Sequence, residues 1–224
     1  MPSIGPMVYR SAHAGAALLV VGVLQFLVGM AWAEWDYPGY SLTGNYISDL
    51  GCCGGAAHAT IFNASIRVLG LLGILGAVLV RSAFTKKTTG RIGIGALVLA
   101  SAFAVAVGSF PEDSPYLGGN VHGVVSALTF FFSGLALVFL ALAMIRDTRW
   151  GGYRTYTLLS GLVTWVAMVL FSTGVYLGLG PGGMERLVVA PILLWGILGG
   201  VHVLRIPRFR AIPAAEGSPS WGPG

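Results

Sequence analysis

Residues 14–33 read AGAALLVVGVLQFLVGMAWA, twenty positions without a charge. At 1.5 Å of rise per residue such a run makes a helix about 30 Å long, the thickness of a bilayer's hydrocarbon core. Five further runs come close to it, at 61–80, 92–110, 122–145, 158–179 and 187–204. Inside lipid every backbone N–H and C=O must be paired within the protein, which leaves helices and closed barrels. None of the six runs alternates polar and apolar residues as a barrel strand does. The expected fold is all-α, an integral membrane bundle of six transmembrane helices. Only 9% of the residues are charged, against about a quarter in soluble domains.

The charges are sorted by face. Arg10, the set Arg81, Lys86, Lys87 and Arg91, the set Arg146, Arg149 and Arg154, and the set Arg205, Arg208 and Arg210 fall on one side if the chain crosses six times. Glu34, Asp36, Asp49, Glu112, Asp113 and Glu185 fall on the other, with Arg67 and Arg186 as its bases. Basic flanks stay in the cytoplasm, so both termini are expected to be cytoplasmic. The same placement explains the net charge of +5 through topology, and no basic, aromatic-interleaved patch points to nucleic acid. A short chain without eukaryotic targeting signals suits a prokaryotic plasma (inner) membrane. Residues 1–210 form the expected transmembrane domain. Residues 211–224, rich in Pro, Gly, Ser and Ala, are expected to be a disordered cytoplasmic tail. Ala31-Trp32-Ala33 mimics a signal-peptidase site, but the run before it is longer than a signal peptide's apolar region, which favours an uncleaved first helix.

Glycines recur along the spans: Gly15, Gly22 and Gly29 in the first, Gly70, Gly73 and Gly76 in the second, Gly196 and Gly200 in the sixth. Small residues let helix backbones approach closely in lipid. Packing within the bundle is the expected use, and self-association through Gly196 and Gly200 is the alternative. The partners expected are membrane lipids, with a homo-oligomer or a partner membrane subunit open.

Polar residues gather toward the acidic face. The first loop there carries Ser41, Asn45, Ser48 and Asp49. Phe110 to Asp113 (FPED) carry Glu112 and Asp113, and the last loop on that face is read as holding Glu185 and Arg186. Four-residue spacing puts Asn63 with Arg67, His122 with Ser126 and Ser172 with Tyr176 on shared helix faces. Arg67 lies about 10 Å into the second run, where a charge either finds a partner inside the bundle or snorkels to the surface. Asp49 is the expected partner. Arg67, Arg186 and His122 then offer a site for an anionic headgroup, with Asp49 and Glu112 setting its charge. The alternative is a purely structural closure of the bundle by Asp49 and Arg67.

No cofactor or metal is expected. His58, His122 and Asp49 make the only ligand-like set on that face, no H-x-x-x-H spacing occurs, and no histidine pair lies at mid-membrane to hold a haem. The only cysteines, Cys52 and Cys53, are adjacent, a spacing that strains a disulfide.

NYISDLG (45–51), Phe62-Asn63, GSFPED (108–113), His122 and Gly182-x-x-Glu185-Arg186 together resemble the domain-of-unknown-function family 998, over roughly residues 11 to 205. More distantly they are similar to the six-helix Frag, Sfk and damage-regulated autophagy modulator proteins. The resemblance implies a six-helix fold with a polar outer site and links to lipid organisation and membrane traffic, but no shared reaction. The leading expectation is a lipid-interacting structural or regulatory protein. A membrane-embedded hydrolase, including one that uses His122 with Asp113 as an acid–base pair, and a small-solute transporter stand as alternatives.

Overall fold

The computed structural model describes residues 6–52, 56–84, 87–145 and 147–206. Six helices carry the fold: α1 (Pro6–Asp36), α2 (Ala57–Val80), α3 (Lys87–Ser109), α4 (Val121–Ala143), α5 (Tyr153–Ser172) and α6 (Gly180–Arg205). Each is long and apolar enough to cross a membrane. No strand occurs among the described residues. Cys53, Lys86, Arg146, Arg208, Arg210 and the tail at 211–224 lie outside them.

Each helix packs against its neighbours in sequence, and α1 closes the circle against α6. Short connections make consecutive helices antiparallel, as in an up-and-down bundle. The three connections α1–α2, α3–α4 and α5–α6 therefore meet at one end, which carries Glu34, Asp36, Asp49, Glu112, Asp113 and Glu185. The helix stripes that line the ring are small. Added methyl groups would collide with Val80 and Gly76 at Gly15, with Leu72 at Gly22 and with Ser65 at Gly29, so the first stripe is the α1–α2 seam. Gly70 and Gly73 face Ser101 and Val105 of α3, whereas Gly76 turns to α1. Gly196 and Gly200 face Val23, Val20 and Ala16 of α1. That stripe packs against α1 inside the bundle, the use expected of it.

Two boundaries depart from the sequence expectation. The fifth helix begins at Tyr153 and stops at Ser172, seven residues before the apolar run ends. Gly174, Leu177, Gly178 and Gly180 all take positive φ, a conformation that ends helices. The sixth helix starts early, at Gly180, with Pro181 in its first turn, where a missing N–H costs nothing. Two corrections follow. Glu185 and Arg186 sit on α6, not in a loop. Tyr176 lies beyond α5, so it does not share a helical face with Ser172, whose hydroxyl donates to the Met168 and Val169 carbonyls.

The opposite end is locked by groups the sequence reading did not single out. Arg149 grips Asp147 through two nitrogens, at 2.6 and 2.9 Å, and donates to the Ala83 carbonyl at 3.0 Å. His202 stacks on Tyr153 at 4.9 Å between ring centres and on Trp150, and its Nε2 meets the Arg149 carbonyl at 2.9 Å. These contacts join the α4–α5 turn to α6.

Candidate functional site

Every residue of NYISDLG has a partner, and together they make a lid on the acidic end of the ring. Asn45 accepts the Ser41 N–H and donates to Asp49 at 3.0 Å. The same Asp49 oxygen accepts the Tyr46 N–H at 2.9 Å, which tightens the turn into a short 3-10 helix at Ser48–Gly51. Leu50 is fully buried beneath it. The Gly51 carbonyl accepts from Asn63 of α2 at 2.9 Å.

The last helix holds the lid from the other side. Glu185, 6% exposed, accepts the Ile47 N–H through Oε2 and also the Ser48 N–H. A carboxylate at these amides satisfies donors that begin the 3-10 turn and have no partner within it. Gly182 donates its N–H to the Thr43 carbonyl at 3.0 Å. Arg186 clamps the flank, donating to Glu34 at 2.6 Å, to the Tyr40 hydroxyl at 2.9 Å and to the Leu42 carbonyl at 2.9 Å. Tyr40 donates in turn to the Tyr46 carbonyl at 2.8 Å, and burial pushes its phenol up to about 12. Tyr46 meets Tyr176 hydroxyl to hydroxyl at 3.2 Å. That contact and burial push Tyr46 up to about 12, so both rings stay neutral.

The expected Arg67–Asp49 pair does not form. Asp49 is spent on Asn45 and Tyr46, and Arg67 is exposed on the outside of the ring. It donates through Nε to the Gly108 carbonyl at 2.7 Å, near the end of α3, where helical carbonyls lack partners and favour a cation. The ion pairs with a nitrogen and an oxygen in contact among the described residues are Arg186–Glu34 and Arg149–Asp147. The anionic-headgroup arrangement of Arg67, Arg186 and His122 is therefore not assembled: Arg186 is consumed by the clamp and Arg67 faces away.

What does assemble is a mouth of acceptors and hydroxyls. Glu112, from the turn after α3, bonds the Ser48 hydroxyl and the Asp49 carboxyl and lies within electrostatic reach of His122. His122 is buried. Its Nδ1 meets the Phe110 carbonyl at 2.9 Å and its Nε2 meets the Ser126 hydroxyl at 3.3 Å. Asp113 is exposed beside the mouth. Below lies a cavity of about 140 Å³, with Ser48, Ser126 and Glu185 at its upper end and Leu97, Leu137 and Trp195 toward its lower end. Helices α1, α2, α3, α4 and α6 line it; α5 does not. Among the described residues no three His, Cys, Asp or Glu side chains come together as metal ligands do.

Burial raises the Glu112 carboxyl above its ordinary value of 4.5, with the Ser48 hydrogen bond pulling it back and the Asp49 charge pushing it further. The folded state thus binds this proton more tightly than the unfolded chain. Its stabilising effect is complete below pH 4.5 and is lost as pH rises from there through the folded pKa. Thermal melts of the detergent-solubilised protein from pH 4 upward are expected to show that decline, and Glu112→Gln is expected to flatten it. An unchanged slope in Glu112→Gln would assign the decline to another group.

Sequence reasoning found the motif residues and named Tyr176 but missed Tyr40, the pairing of Tyr46 with Tyr176 and the close approach at Gly182. The spacing Gly182-x-x-Glu185-Arg186 was the signal for the last of these. Residues 20–202 match a family model described as a protein of unknown function, DUF998. No curated protein and no solved structure matches the chain.

Proposed function

We propose that this chain, which belongs to the DUF998 family, holds one apolar chain of a membrane lipid in its central cavity, with the lipid's polar end at the mouth. The cavity itself carries the reading. Its upper and lower lining positions are Phe62 and Gly73 on α2, Ser126 and Leu137 on α4, and Glu185 and Gly196 on α6. Each pair spans eleven residues, about 16 Å, which matches half of a bilayer's roughly 30 Å apolar core, the depth of one leaflet. Its volume of about 140 Å³ admits no more than one narrow apolar chain. Glu112, Glu185, Ser48 and Ser126 at the mouth favour a neutral or hydrogen-bond-donating polar end over an anionic one. The charge asymmetry of the loops supports an extracytoplasmic position for this mouth. A solute path finds less support, because the lining below the mouth is dominated by Leu, Val, Ala and Phe.

The test is native mass spectrometry of the protein released from nanodiscs of defined lipid. One retained lipid per chain is expected. Ala104→Leu, which projects a larger side chain into the cavity from α3, is expected to cut that occupancy about tenfold with an unchanged melting temperature. Equal occupancy in the variant would place the lipid on the outer surface and end this reading.

A further inference from the structure

Several hydroxyls along these helices rest on their own helix, whereas Thr164 reaches across to the Val188 carbonyl of α6. Thr129 donates to the Val125 carbonyl, Ser101 to Leu97, Ser109 to Val105 and Thr157 to Tyr153, each one turn back, the usual resting place of a helical hydroxyl. Ser126 instead reaches the ring of His122, one turn back on the same face. The direction of that bond follows from the other ring nitrogen. A carbonyl only accepts, so the contact with Phe110 puts the proton of the neutral ring on Nδ1. Nε2 is then a lone pair, and Ser126 is the donor. A hydroxyl donating to an imidazole that a third group orients is the arrangement of an activated nucleophile, and such contacts are often long before substrate binds. Ser126 also lines the top of the cavity.

We infer that Ser126 and His122 form a nucleophile–base pair that cleaves a carboxylic ester whose acyl chain lies in the cavity. This deepens the lipid-chain reading and rests on it. Ser126 and Leu137 bound the cavity on α4, so an acyl chain filling it brings its carbonyl to the level of the hydroxyl. Ser126 Oγ bonds to the carbonyl carbon as its proton passes to Nε2. The C–O bond to the alcohol then breaks, and Nε2 returns the proton to the departing alkoxide. Water, activated by the same nitrogen, attacks the acyl-serine and releases a carboxylic acid and free Ser126. Glu112, within electrostatic reach of His122, favours the imidazolium that forms between these steps. The Ser48 hydroxyl, on the lid above the same cavity, turns from Glu112 to donate to the carbonyl oxygen as it gains charge.

The test uses the full chain in nanodiscs and a decyl fluorophosphonate, read by intact mass and peptide mapping. One covalent adduct is expected on Ser126, absent in Ser126→Ala. His122→Asn retains a donor for the Phe110 carbonyl but lacks the base, so its labelling rate is expected to fall about 100-fold. Equal labelling in Ser126→Ala, or a His122→Asn rate matching wild type, overturns the pair. So does an absent adduct on protein that still retains its cavity lipid, which leaves the binding reading standing. An absent adduct together with lipid occupancy that Ala104→Leu does not change removes both.

Discussion

A single methyl group at Gly182 is expected to unseat the lid. A Cβ there would collide with the Asn45 carbonyl oxygen and stand 2.7 Å from that of Leu42. Neither contact is a flexible side-chain end; both are backbone of the lid. The lid cannot yield locally, because Ile47 and Ser48 are tied to Glu185 and Gly51 to Asn63. Either the turn lifts from α6 and breaks those bonds, or α6 shifts against α1. Gly182→Ala is expected to cost about 3 kcal/mol, the upper part of the range for overpacking. Gly95→Ala is the control, since its added methyl meets open space and alanine favours the helix. Thermal melts in one detergent compare them: a fall of several degrees for Gly182→Ala, and none for Gly95→Ala. Matching melts would mean that the lid seats elsewhere.

Glu185→Ala ranks second. Removing the carboxylate leaves the Ile47 and Ser48 N–H groups without their acceptor in a buried site, and an orphaned donor costs about 1–3 kcal/mol. A total near 3 kcal/mol is expected. Glu185→Gln keeps one acceptor oxygen and should lose less than half of that. Amide hydrogen exchange separates local from global effects: Ile47 and Ser48 are expected to exchange far faster in Glu185→Ala, while amides in α3 and α4 hold. Uniformly faster exchange would show Glu185 supporting the whole bundle rather than the lid.

Much of the architecture was legible because lipid makes a harsh demand that apolar runs satisfy visibly. Six helices, the small-residue seams and the gathering of polar groups on one face all follow from it. The α5–α6 boundary was not legible, since LGLGPGG at 177–183 reads equally as a turn or as the end of an apolar run. The structure divides it between positive-φ turn residues and a helix start. The motif residues were found, but their partners were misassigned. Opposite charges suggested Arg67 with Asp49. A carboxylate near the start of a tight turn is better spent on backbone N–H groups, and a long cation beside a helix's last carbonyls is better spent there. One-dimensional spacing does not show which side of α2 faces the ring, and that fact alone decides Arg67. His122 and Ser126 were legible together, being four apart on one face. The Phe110 carbonyl that fixes the imidazole's proton was not, because it depends on how the turn after α3 folds back.

The lid is built from the beginning of the chain and fastened by its end. Tyr46 to Tyr176, Ile47 to Glu185, Leu42 to Arg186 and Thr43 to Gly182 each join residues more than a hundred positions apart. Chains emerge from the ribosome N-terminus first, so NYISDLG is made long before its fastenings exist. Helices α1 to α4 can pair as they arrive, each against its predecessor. The ring stays open, and its polar turn unsecured, until α6 enters and closes the longest loop in the molecule, the entropically slow step. Maturation of this protein is thus timed by its last helix, and a chain stopped before Gly180 would carry a formed set of spans with no closed interior.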